Sequence, residues 1–188
     1  MAIKIYIDQG HNPRNPNAGA EGNGLREQDL TYKIGTELAA LINENPALEA
    51  RLSRPTPETQ LGTSNASSLA ARVNDANSWG ADYFISLHAN ASSAPSASGT
   101  EGYVFALNTP AAALSRDIVA GIAEATGLRS RGVFARPSLY VLRRTRMPAT
   151  LIELGYITNA NDARLMNENP RLFARGIYNG ILRYLNLA

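Results

Sequence analysis

Cysteine is absent from the 188-residue chain, which removes disulfides and thiolate metal ligands from consideration. Any metal must be held by histidine, aspartate or glutamate. Histidine is scarce as well, with only His11 and His88 present, so a site that needs imidazole has these two to draw on. Lysine is almost missing: 16 of the 18 basic residues are arginine, and the formal net charge is only +2. Those arginines are scattered rather than clustered, which favours a solvated mixed surface over a nucleic-acid-binding stripe, and no nucleic-acid partner is expected. No apolar run approaches the roughly 18 to 20 residues of a membrane span. The N-terminal MAIKIYIDQGH has neither a basic n-region nor a long h-region, so no signal peptide is expected in it. With 44% hydrophobic and 18% charged residues, the composition is that of a globular protein. A chain of this length fits one domain, residues 1 to 188, burying roughly 70% of its unfolded surface.

Three apolar runs each end in, or carry, a residue capable of chemistry. IKIYID, residues 3 to 8, is followed by QGHN with His11; ADYFISLHANAS, residues 81 to 92, reaches His88 and passes into small polar residues. TLIELGY, residues 150 to 156, carries Glu153 in otherwise uncharged surroundings. Read as buried strands, these runs put both imidazoles and Glu153 at the sheet's edge, where open α/β sheets carry their ligands. Residues 9 to 24, dense in Gly, Pro and Asn, read as a long loop. Residues 25 to 44 read as a helix with Leu30, Ile34, Leu38 and Leu41 inward, and Glu27 falls on that same stripe. A core-facing carboxylate in a first turn needs the helix dipole or a nearby cation as partner. Further helices are predicted over 67 to 80, from Thr109 and Pro110 to Gly127, within NANDARLMNE, and over 169 to 185. ALEARLSR, EGYVFAL and a strand within 129 to 144 bring the count to about six strands and five helices in alternation. The fold class is therefore α/β: a twisted, mostly parallel six-stranded sheet with helices on both faces.

A catalytic zinc site commonly takes three ligands from histidine and carboxylate and leaves a fourth position to water, and His11, Glu27 and His88 match one such set by type. Their spacings of 16 and 61 residues are too wide for a local signature. Position carries the argument instead: strand end, helix start, strand end. Taken singly, each histidine reads more readily as a structural residue. An ionised carboxylate inside an apolar strand costs several kcal/mol unless it is paired or its pKa rises. That suits Glu153 to general-base work, the alternative being a core carboxylate paired with Arg143 or Arg144 from a neighbouring strand. Asn90 either hydrogen-bonds a substrate amide or caps the turn, the cap being favoured. Arg131, in a Gly-adjacent loop, offers a bidentate fork to a substrate carboxylate or forms a surface salt bridge. The residues alone point no further than a metal-assisted hydrolase.

Four separated blocks, IDQGHN, GLREQDL, RVNDANSWGADYFISLHANAS and LYVLRRTRMPATLIELGYITNANDARLM, resemble in order the motif blocks of the zinc-dependent N-acetylmuramoyl-L-alanine amidases, the amidase 3 family. Its members are bacterial cell-wall hydrolases, sporulation enzymes and phage endolysins. Gln9 stands where the family more often has proline, and Asn12 where it has glycine. The resemblance implies Zn2+ held by His11, Glu27 and His88, with Glu153 as the catalytic glutamate. It implies peptidoglycan as substrate and cleavage of the amide between N-acetylmuramic acid and the L-alanine of the stem peptide. A monomer acting in secreted, periplasmic or cell-wall space is expected. Some family members cover the zinc with an inserted helix; none shows between Ala89 and Gly102, so an open site is expected. A zinc carboxypeptidase would also use two histidines and a glutamate, but with its first histidine and glutamate close together. A peptidoglycan-binding module has no use for a buried base, and the triad of a non-haem iron oxygenase sits on a β-barrel.

Overall fold

The computed structural model describes residues 2–187; Met1 and Ala188, the two ends of the expected domain, lie outside the described residues. Apolar runs and helical stripes alternate along the chain, and the backbone follows that rhythm. It runs β1 (Ile3–Gln9), a small hairpin of β2 (Glu21–Gly22) and β3 (Leu25–Arg26), α1 (Glu27–Asn43), β4 (Leu48–Leu52), α2 (Asn65–Trp79) and β5 (Tyr83–Asn90). It continues through β6 (Thr100–Val104), α3 (Pro110–Thr126), β7 (Ser130–Ala135), α4 (Tyr140–Arg144), β8 (Ala149–Tyr156), α5 (Ala160–Glu168) and α6 (Pro170–Leu185). The six longer strands form one sheet in the order β4-β1-β5-β8-β6-β7. Every neighbouring pair is parallel except β6 and β8. This is the predicted mostly parallel sheet with helices on both faces.

Strand alternation sorts the two faces. Ile5 and Ile7 of β1, Ile85 and Leu87 of β5, and Ile152 and Leu154 of β8 are buried in the larger core, together with residues of α1, α3 and α6. Tyr6, Phe84 and Leu151 point the other way, into a thinner core closed by α2 and α4. Along that second face the same parity continues to Asp8, to Ser86 and His88, and to Glu153. The thinner layer is thus apolar where the parallel strands begin and polar where they end.

Two local features depart from the sequence reading. The loop over residues 9 to 24 closes in the β2–β3 hairpin, whose two connecting residues, Asn23 (φ 51) and Gly24 (φ 73), both have positive φ. A two-residue Asn-Gly connection is the strongest short hairpin signal, because its left-handed residues match the twist of the strands. Asn23 also anchors the hairpin, its Nδ2 donating to the Ile157 carbonyl at 2.8 Å. Secondly, Arg143 and Arg144 do not belong to a strand. They end α4, a sixth helix of five residues whose Val141 and Leu142 are buried against the thinner core. An apolar run this short has too few residues for its period to separate strand from helix.

Candidate active site

Both histidines and Glu27 meet at the carboxyl ends of β1 and β5. His11 follows β1 in the left-handed region, at φ 68. The residue before it is pressed against its neighbours: the Gly10 N–H donates to the Leu87 carbonyl at 2.9 Å. A Cβ on Gly10 would lie 2.7 Å from Cε1 of His88, so a side chain there would displace the second imidazole. Glu27 opens α1, and its Oε1 lies 3.1 Å from Nε2 of His11 and 3.0 Å from Nδ1 of His88. The Ala89 N–H donates to the same oxygen at 3.0 Å, and the Ala20 N–H donates to Oε2 at 2.9 Å. Burial raises the Glu27 carboxyl, but hydrogen bonds from the two imidazoles outweigh it and hold the group well below the usual carboxylate range.

The three donor atoms lie within 4.8 Å of one another, and together they can hold a metal ion. Two imidazoles and one carboxylate form a donor set that suits zinc, and three protein ligands leave a position for water or substrate. His11 Nδ1 is buried without a hydrogen-bond partner among the described residues.

Glu153 stands beside this triad. In the register of the sheet His88 of β5 pairs with Glu153 of β8, and Glu153 pairs with Glu101 of β6. Three ionisable side chains therefore line up across three adjacent strands. Oε2 of Glu153 is buried and finds no hydrogen-bond partner among the described residues. Burial first, then the charges of Glu27 and Glu101, push its carboxyl up to about 8. A cation held by Glu27 would oppose that push. The alternative of pairing with Arg143 or Arg144 fails, because both side chains are exposed on α4.

Glu101 itself escaped the sequence reading. Its buried carboxylate accepts from Asn90 Nδ2 at 2.9 Å, from the Tyr103 hydroxyl at 2.6 Å and from Arg131 Nε at 2.9 Å. Asn90 Oδ1 accepts from the Ala91 N–H at 2.9 Å, and its amide braces Glu101. Arg131 lies in β7 rather than in a loop. A neighbouring Gly132 at φ 95 accompanies a register irregularity in the β6–β7 ladder, and that irregularity is what the glycine signalled.

Under the triad lie two buried guanidiniums. Arg72 Nη1 pairs with Asp8 at 2.6 Å, both side chains being 1% exposed, and Arg72 Nη2 donates to the His11 carbonyl at 2.6 Å. Arg54, also 1% exposed, donates to the carbonyls of Gln28 at 3.0 Å, Pro57 at 3.1 Å and His11 at 3.4 Å. Gln9 joins this scaffold, its N–H donating to Ser53 Oγ at 3.0 Å while its Oε1 accepts from the Arg54 N–H at 2.9 Å. A proline at that position has no N–H to donate. A pocket of about 130 Å³ adjoins both imidazoles, with Leu69, Leu139, Tyr140 and Leu151 among its lining residues.

Fold and site together define an α/β domain with a candidate metal centre and a half-buried acid at its strand ends. Comparison with known proteins says which one. The N-acetylmuramoyl-L-alanine amidase family model matches residues 5–183, and the chain belongs to that family. N-acetylmuramoyl-L-alanine amidase CwlM of Bacillus licheniformis is 37% identical over 99% of this chain and 70% of its own length. The sporulation-specific N-acetylmuramoyl-L-alanine amidase of Bacillus subtilis is 34% identical over 98% of this chain and 69% of its own length. Among solved structures, the catalytic domain of the amidase CwlV from Bacillus (Paenibacillus) polymyxa superposes with a TM-score of 0.86 at 30% identity, covering 99% of both chains. An N-acetylmuramoyl-L-alanine amidase from Clostridium difficile 630 gives a TM-score of 0.87 at 28% identity, covering 98% of this chain and 97% of the other.

Proposed function

We propose that residues 1–188 form a catalytic domain that cleaves the amide between the lactyl group of N-acetylmuramic acid and the L-alanine of the stem peptide, using zinc held by His11, Glu27 and His88. Zinc in such a site supplies a Lewis acid and lowers the pKa of a water toward about 7. Glu153 takes the proton of the attacking water on its unpartnered Oε2 and passes it to the alanine nitrogen, which leaves poorly without one. Arg131 binds a carboxylate of the stem peptide. Asn90, the other residue expected at the substrate, serves through its brace on Glu101. The enzyme acts as a monomer on peptidoglycan, outside the cytoplasm. Among the described residues no helix is long and apolar enough to cross a membrane.

The observation that carries this reading is the convergence of two imidazoles and a carboxylate beside an acid one of whose oxygens is buried and unpartnered among the described residues. The test pairs metal analysis of the purified protein with release of free L-alanine amino termini from peptidoglycan, before and after chelation. About one zinc per chain with chelator-sensitive release is expected, as a three-ligand site requires. Zinc without new alanine termini would instead indicate a peptidase, and neither metal nor activity after zinc is restored would leave a binding module.

A further inference from the structure

The carboxyl ends of β1, β5 and β8 also hold a polar cluster that the proton chemistry does not use, centred on Glu101. Because β6 runs antiparallel to β8 and β7 follows β6, the beginnings of β6 and β7 lie beside the end of β8. Glu101 and Arg131 are therefore brought to the strand ends where Glu153 sits. The Glu101 side chain is 7% exposed, yet it carries no unmet need, since an amide, a phenol and a guanidinium all donate to it. What it holds is more telling than how it is held. Arg131 spends Nε on Glu101, its Nη1 reaches the Ser98 carbonyl at 3.4 Å, and its guanidinium lies 5.4 Å from the centre of the Tyr156 ring. Its Nη2 has no partner among the described residues, and the side chain is 35% exposed. Part of the fork is anchored and Nη2 is left exposed to solvent, an arrangement suited to a carboxylate.

We infer that Glu101 is a positioning residue for substrate recognition, holding Arg131 so that the enzyme selects stem peptides bearing a free carboxylate near the scissile amide over the same peptides bearing a carboxamide. The inference rests on the amidase reading and deepens it. A carboxamide presents its NH2 where the guanidinium needs an acceptor and carries no charge, so it loses the charge-assisted pair. Glu101→Gln keeps the shape of the hub but removes its charge and turns one acceptor into a donor, which faces either Arg131 on the Oε2 side or Asn90 and Tyr103 on the Oε1 side. The guanidinium is then no longer aimed.

The test uses two muramyl peptides that differ only in carboxylate against carboxamide, with KM and kcat measured for the zinc-loaded enzyme. Equilibrium binding of the matching free stem peptides is measured alongside. The wild type should show a KM and a Kd about tenfold lower for the free acid, the scale of one charged hydrogen bond. Arg131→Gln should bring the two substrates to near parity by weakening the free acid alone, and Arg131→Lys should restore part of the preference. Glu101→Gln should move the ratio of KM for the two substrates toward parity, in the same direction as Arg131→Gln. Equal affinity of the wild type for both peptides would overturn the inference. So would a Glu101→Gln variant that lowers kcat equally on both substrates while its preference stays intact. If Glu101→Gln does not fold, Arg131→Gln decides alone, and a retained preference there sinks the proposal. Absence of hydrolysis by the wild type with the affinity difference intact would strike the amidase reading and leave the recognition standing.

Discussion

The two faces of the sheet are made from the same strands and are used differently. Facing α1, α3 and α6, the side chains are largely apolar, and Ile5, Ile7, Ile85, Leu87, Ile152 and Leu154 lie in that core at 0% exposure. Facing α2 and α4, the strands begin with Tyr6, Phe84 and Leu151 and end with Asp8, His88 and Glu153. That second face carries much that a stability-driven design would avoid: a half-buried acid with a buried, unpartnered oxygen and a guanidinium enclosed against a carboxylate, beside a left-handed histidine. Departures from local rules concentrate at working sites because the rest of the fold over-determines them. Here the thick apolar face supplies that surplus.

The contrast can be broken most sharply on β8. On the proposed role, Glu153→Gln should lower kcat by about 10²- to 10⁴-fold while zinc content and melting temperature hold. Alanine-terminus release, metal analysis and a thermal melt read the three quantities, and near wild-type turnover would remove Glu153 from the mechanism. Arg72→Met tests the buried pair on the same face. It leaves Asp8 enclosed without its cation, which should cost roughly 3–5 kcal/mol in a urea titration.

The Asp8–Arg72 pair also has a pH signature. Burial alone would raise the Asp8 carboxyl, but the Arg72 guanidinium and the Ser86 hydroxyl outweigh it and hold it below its ordinary value of 3.8. A depressed folded-state pKa means that the stabilisation is present above the unfolded value and is lost as pH falls through the folded one. Urea midpoints should therefore fall below pH 3.8 more steeply in the wild type than in Asp8→Asn; parallel slopes would assign the acid sensitivity elsewhere. The smallest effect belongs to the neighbour of Glu153 on the opposite face. Ile152→Val should cost about 0.5–1.5 kcal/mol and leave kcat unchanged, whereas a loss of turnover would show that the two faces are not separable.

Much of this was legible in the chain, residue by residue. Glu27 stood on a helical stripe with Leu30 and Ile34, and all three are buried. Thr109 with Pro110 and Gly127 bracketed α3 as its cap and its left-handed end. The Asn23–Gly24 turn was equally written there and was passed over inside a loop dense in the same residue types. Glu101 was not legible. Its partners Asn90, Tyr103 and Arg131 lie on three strands, and only the antiparallel insertion of β6 beside β8 brings that carboxylate opposite Glu153.

The amino-acid order by itself determined where the longer strands and helices fall, because hydrophobic period and capping are local properties. Strand order, the sense of β6 and the meeting of His11, Glu27 and His88 within 4.8 Å were decided by the tertiary structure alone. So was the burial of Arg54 and Arg72, residues whose type normally stays in water. Their charges become tolerable inside only once Asp8 and a ring of backbone carbonyls have been folded into place around them.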